Sequence, residues 1–180
     1  RVGVGESVLG DLVTDAMREA VKADVAFTDL GGIRSNIRAG VITAREVFAA
    51  VPLYNRIVYY DMTGSFLKWV LEWRVKGMRQ GAYVSGVKIV YSRSLPDLSR
   101  ITLLTVGGKP WDPDSVYRVA TTDYIAAGNI GLEILTQIEP QYVHATDVLV
   151  KDAMVQYIEH HSPLERDLEG RFLRDDKAPY

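Results

Sequence analysis

The sequence contains no cysteine and only three histidines, His144, His160 and His161. The absence of cysteine excludes disulfides, thiolate metal sites and a cysteine nucleophile, although it does not identify a cellular compartment. A two-metal centre needs clustered Asp, His and Asn ligands. His160 and His161 are neighbours at a predicted helix end and His144 falls in a predicted loop, so we expect surface histidines and no dimetal centre in this chain.

Neither an excess of basic residues nor a long apolar run is present. The 21 Lys and Arg residues are balanced by 23 Asp and Glu, a net charge of −2, so we expect no nucleic-acid partner. Charges interrupt every apolar run well before membrane-spanning length, so we expect no membrane span, and no signal peptide is visible. The chain begins at Arg1 without a methionine, which suggests a piece of a longer protein.

The 180 residues, 47% of them hydrophobic, suit one domain with a sizeable core. Apolar spacing and start signals predict helices at 7–22, 43–51, 63–77 and 147–158. Strands are predicted at 25–29, 56–61, 84–91, 101–106 and 116–120, the last two forming a hairpin region with a turn near Lys109-Pro110. Because strands and helices alternate early and a hairpin follows, we predict a mixed α+β domain of layered sheet and helix.

A glycine-rich segment, Asp29-Leu30-Gly31-Gly32-Ile33-Arg34, follows the first predicted strand. Gly31 and Gly32 permit positive φ and close backbone approach, and Arg34 carries a planar set of donors that matches phosphate oxygens. The residues alone leave two interpretations open. One is an anion-binding loop, and the other is an ordinary surface turn with a solvated arginine.

Other candidate groups have structural explanations. Phe66, Trp69 and Trp73 share one face of a predicted helix, which is more typical of a core than of a cofactor site. Thr121 and Thr122 fit strand hydroxyls or helix caps. Neither has a visible histidine partner, so a Ser-His type of hydrolase has little support.

Five segments, taken in order, resemble the C-terminal domain of the 5'-nucleotidase / UDP-sugar hydrolase family. They are Gly5-Glu6-Ser7-Val8-Leu9-Gly10-Asp11-Leu12-Val13-Thr14-Asp15-Ala16, Asp29-Leu30-Gly31-Gly32-Ile33-Arg34, Pro52-Leu53-Tyr54-Asn55, Val119-Ala120-Thr121-Thr122-Asp123-Tyr124-Ile125-Ala126-Ala127-Gly128 and Gly170-Arg171-Phe172. Each motif alone is weak, but five at suitable spacings are fairly specific. The resemblance implies a substrate-binding domain over 1–172, and we expect 173–180 to form a flexible tail.

The resemblance also implies a division of labour between two domains. An N-terminal metallophosphoesterase domain, expected in cis but absent from this chain, would hold two divalent metal ions and perform the hydrolysis. This chain alone would then be inactive and hold no cofactor. The expected substrate is a nucleoside monophosphate or a UDP-sugar-like molecule, and the expected location is the periplasm or the cell surface.

The site residues that the resemblance implies are Asp29, Gly31, Gly32, Arg34, Leu53, Tyr124 and Asn129. Arg34 would bind phosphate or a ribose oxygen. Tyr124 would stack on the base, with Leu53 at the position of the second aromatic ring. Asp29 stands where the family commonly has asparagine, and it would contact ribose or cap the loop.

The segment Gly128-Asn129-Ile130-Gly131-Leu132 departs from the family's Gly-Gly-Asp-Gly-aromatic pattern. Ile130 replaces a substrate-binding aspartate and cannot accept a hydrogen bond, although the Asn129 amide could compensate. Two alternatives therefore stay open. One is a non-catalytic interaction module with an eroded nucleotide pocket, and the other is a domain of a related hydrolase that acts on another anion, such as a sulfur oxyanion.

Overall fold

A computed structural model describes residues 6–76 and 81–175. The helices are α1 (Val8–Ala20), α2 (Ala44–Ala50), α3 (Gly64–Arg74), α4 (Asp123–Ala126) and α5 (Val150–His161). The strands are β1 (Val25–Thr28), β2 (Arg56–Thr63), β3 (Tyr83–Ser85), β4 (Val87–Tyr91), β5 (Ile101–Val106), β6 (Lys109–Pro110), β7 (Val116–Thr122), β8 (Val143–Leu149) and β9 (Phe172–Arg174). Short 3₁₀ turns lie at Leu30–Gly32, Asn129–Gly131, Glu133–Gln137 and Pro140–Tyr142.

Five strands form a mixed sheet in the order β3-β1-β7-β2-β8. β1 and β7 run parallel, and the other neighbours are antiparallel. Successive residues of a strand face opposite sides of a sheet. Ala26 and Ala120 accordingly pack among residues of α1, α2 and α5, whereas Val25, Phe27 and Val119 pack among residues of α3 and a second sheet. The domain is therefore layered, with one core on each side of this sheet.

The second sheet has four strands in the order β6-β5-β4-β9, and the two sheets with their helices confirm the predicted α+β class. β9 runs parallel to β4, with Leu173 opposite Val90, and the Asp175 N–H donates to the Tyr91 carbonyl. The expectation of a flexible tail from residue 173 is therefore wrong for 173–175, because their backbone completes this sheet. Residues 176–180 lie outside the described residues.

The single strand predicted at 84–91 is two strands that belong to different sheets. β3 pairs with β1, and β4 pairs with β5. Gly86 lies between them with φ of +76°, and a Cβ at this position would lie 1.9 Å from the Asp24 carbonyl oxygen. Glycine meets both demands because it has no Cβ, so the chain can pass from one sheet to the other here.

The predicted hairpin is wrong in its second strand. β5 turns at Gly107-Gly108 into the short strand β6, whereas β7 lies in the other sheet between β1 and β2. Lys109 and Pro110 form the returning strand and not the turn. Turn residues indicate where the chain reverses, but they do not identify the strand with which the next apolar segment pairs.

Most helix starts agree with the local signals. The Ser7 hydroxyl accepts from the Gly10 N–H at 3.0 Å at the start of α1. Thr43 and Glu46 form the predicted capping box, in which the Thr43 N–H donates to the Glu46 carboxylate at 2.8 Å. Thr63 caps α3, whose predicted end near residue 77 lies outside the described residues. The helix predicted from residue 147 begins at 150, because 147–149 belong to β8.

The aromatic face of α3 lies at the edge of the core. Phe66, Trp69 and Trp73 are in ring contact along the helix, and all three are only partly buried. Leu67 and Leu71 are completely buried instead. The aromatic rings therefore border the core and do not fill it, because the most buried face of this helix is aliphatic.

Charged groups bind the C-terminal segment to α1. The Glu6 carboxylate accepts from the N–H groups of Glu169, Gly170 and Arg171 at 2.8, 2.9 and 2.8 Å. The Arg171 guanidinium forms a bidentate salt bridge with the Asp15 carboxylate, with N···O distances of 2.7 and 3.0 Å. This planar pairing is a strong form of charged hydrogen bond and orders the segment that leads into β9.

Among the described residues, Asp11 is the carboxyl group in this cluster that lacks a hydrogen bond. Its side chain is buried, lies 3.9 Å from Arg171, and accepts no hydrogen bond from the described residues. Burial raises the pKa of Asp11 to about 8, opposed by Arg171 and reinforced by the carboxylates of Glu6 and Asp15. The neutral acid is therefore the favoured form of Asp11 in the folded protein at neutral pH.

We expect Gly86→Ala to lower the free energy of unfolding by about 2 kcal/mol or more, since the new methyl group meets the Asp24 carbonyl in a left-handed conformation. Gly107→Ala is the matched control, because φ there is +57° and a Cβ would meet nothing within 4 Å. It should cost only about 1 kcal/mol. Urea unfolding of both variants measures the difference, and equal losses would contradict the role of the carbonyl contact.

We expect Asp11→Asn to gain stability relative to the original chain as pH rises. The pKa of Asp11 is about 8 in the folded state against 3.8 for the ordinary group, so the folded state holds the extra proton between these values. The original chain therefore loses stability as pH rises from about 4 to 8, and the asparagine variant lacks this loss. Urea unfolding at pH 5 and pH 8 tests this, with the exposed Asp167→Asn as control. A constant difference between Asp11→Asn and the original chain at both pH values would refute it.

Candidate functional site

Three loops meet at one edge of the five-stranded sheet. β1 and β7 are parallel neighbours, so the loops that follow Thr28 and Thr122 leave the sheet at the same edge. β2 runs antiparallel to β7 with Ile57 opposite Thr122, so the loop that precedes β2 arrives there too. This edge therefore collects the glycine loop, the segment 52–55 and the segment 123–131. Loops at the carboxyl ends of neighbouring parallel strands are a common place for ligand sites.

The glycine loop is held by Asp29. Its carboxylate accepts from the Gly31 N–H at 2.8 Å and caps the 3₁₀ turn Leu30–Gly32. Gly31 and Gly32 do not adopt the positive φ that we considered for them. A Cβ on Gly31 would lie 2.8 Å from the Asp29 carboxylate, so a side chain here would have to displace the cap.

Arg34 is an exposed cation at the end of this loop. Its backbone N–H donates to the Ala50 carbonyl at 2.8 Å, which ties the loop to the end of α2. Its guanidinium forms no hydrogen bond or ion pair with any residue in the described ranges 6–76 and 81–175. An anchored backbone with unoccupied side-chain donors is the arrangement that a bound oxyanion requires.

Leu53 and Tyr54 point in different directions, as expected for neighbours on an extended segment. Leu53 lines a shallow depression of about 10 Å³ together with Gly32 and Thr122. The Tyr54 ring lies 3.3 Å from the ammonium group of Lys151. Leu53 therefore faces the glycine loop, and Tyr54 is engaged elsewhere. Arg34 and Tyr124 do not line this depression, but they lie one and two positions after Ile33 and Thr122, which do.

Tyr124 and Asn129 are joined by a hydrogen bond. The Asn129 side-chain amide donates to the Tyr124 carbonyl at 2.7 Å and closes the turn after α4. Tyr124 itself has 46% of its surface exposed, which leaves its ring open to a ligand. The suggested compensation by the Asn129 amide would fall to its second N–H, since the first already has a partner inside the protein.

Ile130 keeps an unusual backbone conformation. Its φ is +58°, between Gly128 and Gly131 at +89° and +81°. A β-branched residue is strained in this left-handed region, which aspartate and asparagine tolerate better. The side chain packs against the core, and its carbonyl accepts from Arg74 at 3.0 Å. The backbone of this loop thus has a shape that aspartate would tolerate better than the isoleucine present.

Arg74 supports the segment 123–131 of the site, and the sequence analysis missed it. It is buried, and its guanidinium donates to the carbonyls of Ile130 and Gly81 at 3.0 and 2.8 Å. Burial lowers the pKa of Arg74, and the nearby Asp29 carboxylate opposes this shift. An arginine in the last turn of a helix has the same local pattern whether it is solvated or buried, so no sequence signal distinguishes it.

The histidines lie apart from this edge. His144 belongs to β8, not to a loop as expected, and its ring lies 3.2 Å from Asp61 and stacks on Tyr59. His160 and His161 end α5 beside Glu19. Within residues 6–76 and 81–175, no group of three or more His, Asp or Glu side chains could hold a metal ion. In the same ranges, no helix combines the length and the apolar character that crossing a membrane requires.

The fold and the loop-lined edge define a class of layered α+β domain with a candidate ligand site built from loops. Residues 1–137 match the family model described as 5'-nucleotidase, C-terminal domain, and the chain belongs to this family. The resemblance inferred from the five motifs is thereby confirmed.

Similar proteins agree with this assignment. The chain is 33% identical to Protein UshA of Yersinia enterocolitica, over 92% of this chain and 29% of that protein. It is 31% identical to a 5'-nucleotidase of Vibrio vulnificus, over 87% of this chain and 28% of that protein. The crystal structure of a 5'-nucleotidase precursor from Thermus thermophilus superposes with a TM-score of 0.86 at 28% identity, covering 96% of this chain and 36% of that one. The chain therefore spans less than a third of the length of these two curated relatives.

We expect Asp29→Ala to lower the free energy of unfolding by about 1 kcal/mol, because the Gly31 N–H loses its cap. Asp29→Asn keeps an acceptor at this position and should stay within about 0.5 kcal/mol of the original chain. Urea unfolding compares the two variants. An asparagine variant as unstable as the alanine variant would mean that the negative charge, and not the cap, stabilises the loop.

Proposed function

We propose that this chain is the substrate-binding domain of a longer metal-dependent phosphoester hydrolase of the 5'-nucleotidase type. Its family supports this proposal, as do curated relatives that carry the name 5'-nucleotidase and are several times longer than this chain. The proposed substrate is a nucleoside monophosphate or a UDP-sugar-like molecule, and the proposed role is in nucleotide breakdown. By family resemblance, the protein would act in the periplasm or at the cell surface.

The observation that carries the proposal is the free guanidinium of Arg34. Arg34 lies on a capped loop, at the edge of the sheet where the glycine loop meets the segments 52–55 and 123–131. No side chain in the described ranges neutralises its charge. A guanidinium binds phosphate oxygens with two parallel hydrogen bonds and keeps its charge at any physiological pH. Arg34 would therefore hold the substrate through an oxyanion or a ribose oxygen.

The exposed ring of Tyr124 would supply a stacking surface for the base. Nearly half of its surface, 46%, is exposed, and the Asn129 hydrogen bond fixes the turn on which it lies. Leu53 would contact the opposite face of the base, but a leucine lacks the quadrupole of an aromatic ring and stacks less well. Binding would therefore depend more on Arg34 and Tyr124 than on Leu53.

The metals belong outside this chain in our proposal. The described residues do not fit a two-metal centre, since they bring no three candidate ligands together. Two divalent ions would instead be held by an N-terminal domain in cis, where they would polarise the phosphoester and activate water. The residues of this chain would bind and orient the substrate, and the chain alone would be inactive.

A second candidate is a non-catalytic module with an eroded pocket. The Ile130 side chain cannot accept a hydrogen bond, one N–H of the Asn129 amide is already engaged, and Leu53 stands where the resemblance implies an aromatic ring. These three observations favour a domain that keeps the family's fold without its nucleoside contacts. Binding measurements on this chain separate the two candidates.

We expect AMP to bind the chain and Arg34→Ala to weaken that binding by roughly 10- to 100-fold, the usual effect of losing a charged hydrogen bond. Tyr124→Leu should weaken AMP binding by about 2- to 10-fold and leave the binding of inorganic phosphate unaffected, because only the base stacks on the ring. Calorimetric titration with AMP, adenosine, UMP, UDP-glucose and phosphate measures these effects.

Arg45→Ala is the matched control, since Arg45 is exposed near the start of α2 and lies outside the three segments of the candidate site. It should bind AMP as the original chain does. No binding of any of these nucleotides at millimolar concentration would reject the nucleotide proposal and favour the eroded module.

A further inference from the structure

A second polar cleft, of about 470 Å³, lies where the chain passes between the two sheets. Its lining includes Arg18, Ser85, Gly86, Lys88 and Gly107. Ser85 pairs with Ala26 near the beginning of β1, whereas the candidate nucleotide site follows the end of that strand. The cleft is therefore at the opposite edge of the sheet, and none of the proposed nucleotide contacts lines it.

Positive charge is in excess around this cleft. One buried carboxylate, that of Asp15, accepts from Arg166 at 2.7 Å, from both terminal nitrogens of Arg171, and from the Ser85 hydroxyl. Although burial favours the neutral form, these donors hold the pKa of Asp15 below its usual value. Among the described side chains that line the cleft, the cations Arg18, Lys88 and Arg171 outnumber the acidic Asp15 and Glu169, which gives the cleft a positive potential.

The remaining acidic groups are engaged or neutral. Glu169 pairs with Arg171 at 3.0 Å, and Glu6 accepts from three backbone N–H groups. Asp11 favours its neutral form because burial raises its pKa to about 8. No further acidic side chain within the described ranges lines the cleft besides Asp15 and Glu169.

Arg18 is fixed in position and still has donors to offer. Its Nε–H donates to the Ser85 hydroxyl at 2.8 Å, and its stem lies against Gly86, where a Cβ would be 3.1 Å from the arginine Cδ. Its terminal nitrogens have no hydrogen-bond or ion-pair partner among the described residues, and neither does the ammonium group of the exposed Lys88. Both side chains line the cleft.

We propose that this cleft binds the phosphate or sulfate group of a small anionic molecule, with Arg18 and Lys88 donating to its oxygens. Arg171 contributes charge but not hydrogen bonds, since its donors are occupied by Asp15, Glu169 and the Val84 carbonyl. The Tyr157 hydroxyl, which accepts from Arg166 at 2.7 Å, keeps its own proton available as a further donor. A small ligand is favoured over nucleic acid because the cleft is concave and the whole chain has a net charge of −2.

The test uses the 180-residue chain with Arg34→Ala as background, so that the proposed nucleotide site contributes no arginine. Inorganic phosphate, sulfate and chloride are titrated at matched ionic strength, and backbone amide shifts are followed by NMR. We expect phosphate or sulfate, but not chloride, to shift the amides of Gly86, Gly107 and Gly108. The comparison of phosphate with sulfate identifies which oxyanion the cleft prefers.

Two variants locate the binding. Lys88→Gln changes only an exposed side chain and leaves the Asp15 cluster intact, and Arg18→Gln removes the fixed donor. Each variant should weaken oxyanion binding by roughly tenfold or more. Arg45→Gln, at an exposed position of α2, should leave the affinity unchanged. Equal responses to all three salts, or equal affinity in every variant, would overturn the proposal. Because the background lacks Arg34, a failure of oxyanion binding at this cleft would say nothing about AMP binding at the other edge.

Discussion

The central strand β7 hydrogen-bonds to β1 on one side and to β2 on the other, and this pairing positions the loops of the candidate site. Parallel pairing with β1 places two loop starts at one edge, and antiparallel pairing with β2 brings a third loop to it. A slip of one residue would turn each core side chain to the wrong side. Burial of Val119 on one side and Ala120 on the other therefore holds the register, and with it the geometry of the site.

The segment 128–132 combines a well-supported backbone with side chains that differ from the pattern implied by the family resemblance. Ile130 has a left-handed backbone, and its carbonyl accepts a hydrogen bond from Arg74. The position of the loop therefore does not depend on the Ile130 side chain. Leu53 likewise faces the glycine loop where an aromatic ring is expected. Substitutions of this kind change what a pocket recognises more than where its loops lie, because backbone hydrogen bonds set the loop positions.

The opposite edge of the sheet depends on buried charge. Asp15 is surrounded by donors from Ser85 and from Arg166 and Arg171 of the C-terminal segment, which lie 70 to 156 positions along the chain from it. A buried carboxylate is costly unless it is paired and hydrogen-bonded. The C-terminal segment supplies both arginines and then β9, so the same contacts close the second sheet and create the positive cleft. The two edges can thus carry separate ligand chemistry on one scaffold.

Local interactions were determined by the sequence alone. The capping box of Thr43 and Glu46 was predictable because its hydrogen bonds join residues three positions apart, and the family was predictable from motifs in order. The sequence did not predict the division of 84–91 into two strands at Gly86, the sheet to which β7 belongs, or the burial of Arg74. Each depends on a partner far along the chain, and a local pattern carries no information about that partner. The sequence thus named the candidate site residues, whereas the tertiary structure decided their neighbours and which of their donors are free.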